Sequence, residues 1–275
     1  MAHSINYGLV SLKRIKCGVI PAAGEGKRMG YLSSVLPKCL FPLYDKPVIH
    51  YVIENMVNAG IERIFIPVYS KKERIIEYFE KSVKEIDAEI VIIPLEELPN
   101  GLALSIYSAK DYVNDSFMTI LGDDVTITDS LCPLIGLFSS SKAYALEGVV
   151  VENDEASIKR TCCLELNEKN QILQIIEKPE SPISKIRGCG VYVFNRKIFD
   201  YIEKTPLSNR NEVEITSTIA LVAKEGKAYA QFINGVNLNI NTSDDLFKAW
   251  TLLKMRAIKN ERTCVSFYQH YFAEL

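Results

Sequence analysis

The first half of the chain alternates between continuous apolar runs and apolar residues at helical spacing. The runs 64–68, 90–93 and 117–121 are typical of strands buried on both faces, whereas 47–59 carries apolar side chains every three or four positions. The predicted strands are 15–21, 64–68, 90–93 and 117–121, and the helices predicted between them are 47–59, a helix from Ser70 to about Ser82, and about 102–113. Ser70 and Glu73 form a capping box at the start of the second helix. This order predicts an α/β fold with a doubly wound sheet.

After about residue 140 the pattern changes to shorter strands with short connections. The predicted elements there are strands over 143–151, 161–166, 172–176, 190–194 and 228–233 and helices over 196–203 and 213–224. A last helix begins at Thr242 or Ser243, followed by Asp244 and Asp245, and extends to about Glu261. No repeat or flexible linker separates the two halves, so the second half is predicted to be a lid on the same sheet.

Composition and charge restrict the function classes. The chain has 275 residues, of which 48% are hydrophobic, and a net charge of −2. It therefore lacks the positive charge that nucleic acids or membrane surfaces attract, and no apolar run approaches the ~18 residues of a membrane-spanning helix. The N-terminus lacks a convincing signal-peptide segment. The seven cysteines have no C-x-x-C spacing, so we expect mostly buried free thiols in a reducing cytoplasm.

A glycine-rich, cationic loop follows the first predicted strand. Residues 22–28 read Ala-Ala-Gly-Glu-Gly-Lys-Arg, and Lys38 follows ten residues after Arg28. Such a loop presents backbone N–H groups and positive charge to a phosphate chain. It is not a P-loop, because Pro21 and Arg28 stand where that motif needs glycine and a hydroxyl residue. Nor is it a dinucleotide fingerprint, because Met29 replaces the third glycine.

Three candidate binding segments each follow a predicted strand: the loop 22–38, the loop 94–101 and the pair Asp123-Asp124. In open α/β sheets the ligand binds beyond the carboxyl ends of the strands. The sequence therefore predicts that these segments form one site.

Five motifs, in this order, resemble those of the sugar-1-phosphate nucleotidylyltransferases. They are Ala23-Gly24-Glu25-Gly26-Lys27-Arg28 with Pro37-Lys38, Pro99-Asn100-Gly101-Leu102-Ala103, Leu121-Gly122-Asp123-Asp124, Glu177-Lys178-Pro179 and Asn239-Ile240-Asn241-Thr242. The resemblance implies the nucleotide-diphospho-sugar transferase fold, a Rossmann-like mixed sheet with an inserted, sugar-binding, β-rich lid. The implied organisation is an extension over 1–14, one domain over 15–262 with a nucleotide-binding part at about 15–140 and a sugar-phosphate-binding part at about 141–242, and a tail over 263–275.

The resemblance also implies a reaction. An oxygen of a sugar-1-phosphate attacks the α-phosphorus of a nucleoside triphosphate (NTP), which yields an NDP-sugar and pyrophosphate. No covalent enzyme intermediate is implied, so the protein positions its substrates and neutralises charge. We therefore expect an Mg²⁺-dependent cytoplasmic enzyme without nucleic-acid or membrane partners. Homo-oligomers are common in the family, and the sequence does not decide the oligomeric state.

For the nucleotide, the resemblance assigns the triphosphate to Arg28, the α-phosphate to Lys38 and the metal to Asp123 together with Asn239. Lys27 would add charge or point to solvent. The full nucleotide-binding set is Ala22, Ala23, Gly24, Glu25, Gly26, Lys27, Arg28, Glu96, Gly101 and Asp123.

For the second substrate, Lys178 would bind the phosphate and Glu177 the hydroxyl groups. Gly190 would let the sugar approach the backbone, with a strand bulge as the competing explanation. Cys162 and Cys163 depart from the pattern, because relatives usually carry a glycine near this position of the sugar site. Either the sugar sits differently, or the acceptor is not an ordinary hexose phosphate, or acceptor activity is lost.

The base preference is predicted from Glu96-Glu97. These residues fall near the sequence position at which the thymidylyl and uridylyl enzymes carry a glutamine. A carboxylate only accepts hydrogen bonds, so it favours GTP or CTP over UTP or dTTP. Two other functions stay open: a nucleotidylyltransferase for a non-sugar phosphate such as phosphocholine, with Tyr107, Glu177 and Tyr192 as a conceivable cage, and a non-catalytic nucleotide-binding homologue.

Overall fold

The structure, a computed structural model, describes residues 14–24, 26–69, 71–82 and 86–261. The predicted extension, tail and capping residue Ser70 lie largely or wholly outside these ranges. The strands are β1 Cys17–Val19, β2 Pro42–Leu43, β3 Lys46–Pro47, β4 Arg63–Val68, β5 Glu89–Pro94, β6 Phe117–Ile120, β7 Asp124–Thr128, β8 Ala145–Val151, β9 Cys162–Leu166, β10 Ile172–Glu177, β11 Ile186–Phe194, β12 Ala228–Phe232 and β13 Gly235–Asn239. The helices are α1 Tyr31–Val35, α2 Val48–Asn58, α3 Lys72–Ser82, α4 Leu102–Tyr107, α5 Cys132–Ser140, α6 Glu155–Lys159, α7 Ile198–Ile202, α8 Ile215–Lys224 and α9 Ser243–Glu261, with 3₁₀ turns at Lys27–Met29 and Lys38–Leu40.

A single nine-stranded sheet organises the described chain. Its parallel part has the order β6-β1-β4-β5, so the chain moves outward from β1 and then crosses to the other side of it. This reversal between β1 and β6 is the topological switch point, where ligands of doubly wound sheets bind. β11 runs antiparallel to β6, and β8, β9, β10 and β12 complete the sheet. The predicted doubly wound, mixed α/β sheet is therefore confirmed.

The core lies on both faces of this sheet, as period-two alternation requires. In β4, Ile64 and Ile66 pack into one apolar cluster and Phe65 into the other. α2 covers the first face, and Met56 lies against Gly18 of β1 so closely that a Cβ there would displace it. A third cluster joins α9 to β2 and to the paired strands β7 and β13.

Most predicted elements are confirmed within a few residues, but the helix over 102–113 is wrong in length. α4 ends at Tyr107, because Ala109 and Lys110 donate backbone hydrogen bonds to carbonyls three residues back instead of four. The first strand is also shorter than predicted. β7 and β13, which form a two-stranded ribbon, and the helices α5 and α6 were not predicted.

Of the strands after residue 140, β8 to β12 belong to the same sheet as the parallel strands, whereas β13 pairs with β7 in the separate ribbon. Four of the six described cysteines are buried free thiols, whereas Cys17 is partly exposed and Cys132 is exposed. Within the ranges given above, no helix is long and apolar enough to cross a membrane.

Candidate active site

A cleft opens at the switch point, where the chain leaves β1 and β6. The amide of Gly122 donates to the carbonyl of Pro21 at 3.3 Å, which holds the two strand ends together. The larger of two adjoining cavities in this cleft has a volume of about 440 Å³. Of the residues predicted from sequence, Ala22, Ala23, Gly24, Gly26, Arg28, Lys38, Gly101, Asp123 and Lys178 line it. The three predicted segments therefore do meet.

The glycine-rich loop turns at Gly26, whose φ of 67° lies in the left-handed region. A side chain there would also crowd Lys38, because a Cβ would lie 3.3 Å from the Lys38 Cβ. Arg28 follows in the 3₁₀ turn Lys27–Met29 and is exposed to the cleft. Glu25 lies outside the described residues, so its predicted role stays a prediction.

The Lys38 ammonium group is held by two oxygens across the cleft. It forms an ion pair with Oδ2 of Asp123 and donates to Oδ1 of Asn241 at 2.9 Å. The start of α9 fixes the position of Asn241. The backbone N–H groups of Asn241 and Thr242 both donate hydrogen bonds to Oδ2 of Asp245. Asn241 is not among the site residues predicted from sequence, although it lies inside the motif Asn239-Ile240-Asn241-Thr242.

Asp124 lies beneath Asp123 and is almost fully buried, at 3% exposure. Burial, and next the charge of Asp123, raise the pKa of its carboxyl to about 7. One carboxyl oxygen, Oδ1, has no hydrogen-bond partner. The other fills the space in front of Gly190, where a Cβ would overlap it. Gly190, with φ of 64°, lies at a shift of register between β11 and β8, so the bulge explanation holds.

The oxygen donors at this point fit a magnesium ion. Asp123 supplies a carboxylate and Asn239 a carboxamide, and the orphaned oxygen of Asp124 lies at the same wall. Magnesium takes one or two protein oxygens and leaves its other positions to phosphates and water. Among the described residues no cluster of three or more acidic, histidine or cysteine side chains could hold a metal alone. The donor set therefore suits a metal that arrives with its nucleotide.

A second cavity of about 220 Å³ adjoins the first and contains the predicted acceptor residues Glu177, Lys178 and Gly190, together with Asn239. Burial raises the pKa of the Glu177 carboxyl, although Lys178 and Arg210 lie 3.7 and 3.4 Å from it and oppose the shift. Lys178 has φ of 44° and donates its amide to Thr161 at 2.6 Å. A non-glycine residue in this conformation is strained, which fits a position fixed for binding.

Cys162 lies at the wall of the second cavity, but its sulfur is accommodated by a neighbouring glycine. The sulfur occupies the space that a Cβ at Gly188 would need and donates to Oε1 of Glu147 at 3.5 Å. Glu147 is fully buried, its Oε2 has no partner, and burial raises its pKa to about 8. Cys162 therefore packs against Glu147 and Gly188, and sequence gave no sign of this buried acid.

The loop 99–103 is joined by backbone hydrogen bonds to the segment before α8. Val213 donates to Asn100 at 2.9 Å and accepts from Ala103 at 3.1 Å. Gly101, with φ of 107°, faces the backbone of Val213 so closely that no side chain fits. Glu212 and Glu214 flank Val213 and line the second cavity, so one wall serves both cavities.

Glu96 is not brought to the cleft. Its carboxylate is 90% exposed and lies 3.5 Å from Lys72 on α3. Ser105 lines the larger cavity, and its buried hydroxyl has no hydrogen-bond partner. The predicted preference for GTP or CTP therefore loses its structural basis, because neither Glu96 nor Glu97 lines either cavity.

Comparison with known proteins identifies the class. A family model described as nucleotidyl transferase matches residues 17–254. The chain therefore belongs to the nucleotidyl transferase family.

Individual relatives narrow this assignment. The bifunctional sugar-1-phosphate nucleotidylyltransferase/acetyltransferase of Sulfurisphaera tokodaii is 34% identical over 85% of this chain and 53% of its own length. The bifunctional protein GlmU of Methanocaldococcus jannaschii is 32% identical over 86% and 52%. This chain thus spans about half the length of both. The UTP–glucose-1-phosphate uridylyltransferase AglF of Haloferax volcanii is 30% identical over 82% of this chain and 92% of its own. The resemblance to the sugar-1-phosphate nucleotidylyltransferases is confirmed.

Solved structures agree on the fold. A UDP-glucose pyrophosphorylase solved with UDP-glucose superposes with a TM-score of 0.80 over 88% of this chain and 100% of that chain, at 23% identity. A UDP-glucose pyrophosphorylase from Acinetobacter baumanii gives 0.75 over 90% and 100%, also at 23% identity. The nucleotide-diphospho-sugar transferase architecture is therefore confirmed.

Proposed function

We propose that this protein joins an NTP and a sugar-1-phosphate to give an NDP-sugar and pyrophosphate. The observation that carries the proposal is the continuity of the two cavities. Arg28, Asp123 and Lys178 line both, so charged groups stand at the junction where two phosphates must meet. Membership of the family and the names of the relatives support the same reaction.

The chain's own groups account for the transfer. An oxygen of the acceptor phosphate forms a bond to the α-phosphorus while the bond from that phosphorus to the oxygen of the leaving pyrophosphate breaks. Lys38 supplies positive charge at the α-phosphate once the nucleotide replaces its contact with Asp123. Arg28 offers a planar fork to the outgoing phosphates, and Lys178 holds the acceptor phosphate in line.

We further propose that Asp123 and Asn239 bind Mg²⁺ together with the triphosphate. The ion would neutralise charge that develops on the phosphates. Asn239 is neutral, so the pair carries one charge fewer than two aspartates would, and we expect weak metal binding before nucleotide arrives. Cytoplasmic location and a homo-oligomer stay predictions.

UTP is the first nucleotide to test, because AglF acts on UTP by its name and matches this chain over 92% of its length. The acceptor end is unusual, since Glu147 and Cys162 form a buried polar pair behind it.

The experiment is a panel of four NTPs against glucose-1-phosphate, an amino-sugar-1-phosphate and phosphocholine, each with Mg²⁺, scored by pyrophosphate release. We expect the highest kcat/KM for a sugar-1-phosphate. Highest activity with phosphocholine would replace the proposed acceptor class. Nucleotide binding without pyrophosphate release for any pair would identify a non-catalytic homologue.

A further inference from the structure

The ribbon formed by β7 and β13 is anchored on the main sheet through one buried residue, Asn237 of β13. The ribbon is a two-stranded sheet of its own, separate from the nine-stranded sheet. In the described part of the chain, every hydrogen bond between the ribbon and β11 involves Asn237. The position of the ribbon on the sheet therefore depends on this residue and its partners.

Arg187 of β11 and Asn237 hold each other by hydrogen bonds in both directions between their strands. The Arg187 guanidinium donates from Nη1 to Oδ1 of Asn237 at 2.9 Å and from Nη2 to the backbone carbonyl of Asn237 at 3.0 Å. Nδ2 of Asn237 donates back to the carbonyl of Cys189 on β11 and to Oγ1 of Thr126 on β7, both at 3.0 Å. Arg187 and Asn237 are only 4% and 5% exposed.

These bonds fix a direction as well as a distance. A guanidinium is a planar fork, so two of its nitrogens can meet two oxygens of one residue in a single relative orientation. Apolar packing is non-directional and would leave the ribbon more freedom to slide. The joint between Arg187 and Asn237 is therefore suited to hold the ribbon in one register against β11.

The joint connects two parts of the cleft. β11 contributes Arg187 to the lining of the second cavity, whereas the ribbon carries Asn239 into the same cavity and begins directly after Asp123, which lines both cavities. Asn237 lies two residues before Asn239 on the same face of β13 and belongs to the lining of neither cavity. Asn237 can therefore affect a ligand only through the placement of its neighbours.

We infer that Arg187 and Asn237 are positioning residues, which fix the spacing between the second cavity on β11 and the corner at Asp123 where the two phosphates meet. The inference rests on the proposed function, because this spacing matters only if an acceptor phosphate must reach an α-phosphate there. The attacking oxygen has to lie in line with the leaving pyrophosphate, and a misplacement of about 1 Å can lower the rate by about 10²-fold.

The test compares a ligand that spans both cavities with its two halves, by isothermal titration calorimetry with Mg²⁺. The probes are UDP-glucose, UMP and glucose-1-phosphate, or the product and halves of whichever substrate pair has the highest kcat/KM. Asn237→Ala should leave the Kd of each half unchanged and raise the Kd of the spanning product by roughly 10-fold, because a bridging ligand loses affinity when the spacing of its two sites changes. It should also lower kcat by roughly 10²-fold with both KM values unchanged.

Arg187→Lys is the second variant, and it decides the question if Asn237→Ala does not fold. It keeps a positive charge at the second cavity but loses the planar fork, so it should show the same pattern in milder form. Thr126→Val is the matched control. It removes a hydrogen bond made by the same asparagine, but this bond joins the two strands of the ribbon and leaves the contacts with β11 in place. The control should therefore keep the wild-type Kd for UDP-glucose.

Two results would overturn the inference. One is wild-type affinity for UDP-glucose in Asn237→Ala and Arg187→Lys; the other is an equal loss of affinity for UDP-glucose and for its halves, which would show general loosening of the cleft. Failure of the proposed function is distinguishable, because the wild type would then bind the spanning product no more tightly than the monophosphate. Thermal unfolding of each variant confirms that it is folded at the assay temperature.

Discussion

At the scale of residues, the cleft is organised by ionisable groups held in contact without substrate. Lys38 is 11% exposed and bridges Asp123 and Asn241, so its charge is already placed where the phosphates would arrive. Glu147 shows the opposite case, because it is buried without a cation and is held in its neutral form near neutral pH. Lys38 leads to a prediction about activity, and Glu147 leads to a prediction about how stability depends on pH.

Lys38→Ala should lower kcat by roughly 10²–10³-fold, because it removes a preorganised charge from the α-phosphate. The measurement is steady-state pyrophosphate release at saturating substrates. Lys46→Ala is the control, since it removes an ammonium group of the same kind that lies 2.5 Å from Glu54 on α2. Equal activity of the two variants would contradict the role of Lys38.

Glu147→Gln should flatten the dependence of stability on pH. Burial raises the pKa of Glu147 from 4.5 to about 8, so its contribution is complete below pH 4.5 and is lost as pH rises through 8. The loss is of the order of 5 kcal/mol in the free energy of unfolding. Urea unfolding across this range should show similar stability at the acid end and a more stable variant at the alkaline end. Parallel curves of stability against pH for the wild type and the variant would refute the raised pKa of Glu147.

At the scale of elements, the loop 99–103 is the segment whose position matters to both cavities. Its hydrogen bonds to Val213 tie the start of α4 to the chain that enters α8. The close approach exists only because residue 101 has no side chain. A substitution at residue 101 is therefore predicted to affect both cavities.

Gly101→Ala should weaken binding of both substrates and lower the free energy of unfolding by about 2 kcal/mol or more, because φ of 107° and the Val213 backbone both exclude a Cβ. Gly136→Ala, in α5 with open space around it, should instead be neutral or stabilising by about 0.5–1 kcal/mol. Chemical unfolding and the two KM values test this. A rise in KM for the nucleotide alone would show that the segments move independently.

The sequence identified the parallel strands and the phosphate loop because both depend on local signals. Apolar runs mark buried strands, and glycines with cations mark the loop. It could not place Glu96, because whether a loop carboxylate faces the cleft or Lys72 depends on packing between α3 and β5. The shape of the acceptor wall could not be predicted from the sequence either, because Cys162, Glu147 and Gly188 come from three strands and meet only in the folded sheet.

At the scale of the whole molecule, the parallel and antiparallel parts of one sheet meet at the cleft. The larger cavity lies at the ends of β1 and β6, and the smaller one adjoins β9, β10 and β11. A ligand that fills both cavities therefore contacts both parts of the sheet. One continuous sheet thus carries both half-sites.

At equal concentration, an NDP-sugar product should raise Tm more than the nucleoside monophosphate or the sugar-1-phosphate alone, because it occupies both cavities. At a concentration of 100 Kd the stabilisation is about 2.7 kcal/mol, which corresponds to roughly 5–10 °C. Differential scanning fluorimetry provides the measurement. A product that shifts Tm no further than the monophosphate would show that the smaller cavity does not hold the sugar.

The shared wall at Val213 also bears on how this protein can be altered. Under the proposed function, the loop 99–103 lines the nucleotide cavity and Glu212 and Glu214 line the acceptor cavity, on opposite sides of this backbone contact. A redesign that displaces one side will therefore carry the other with it, so libraries that vary 99–103 and 212–214 together will reach new donor–acceptor combinations that single-loop libraries miss.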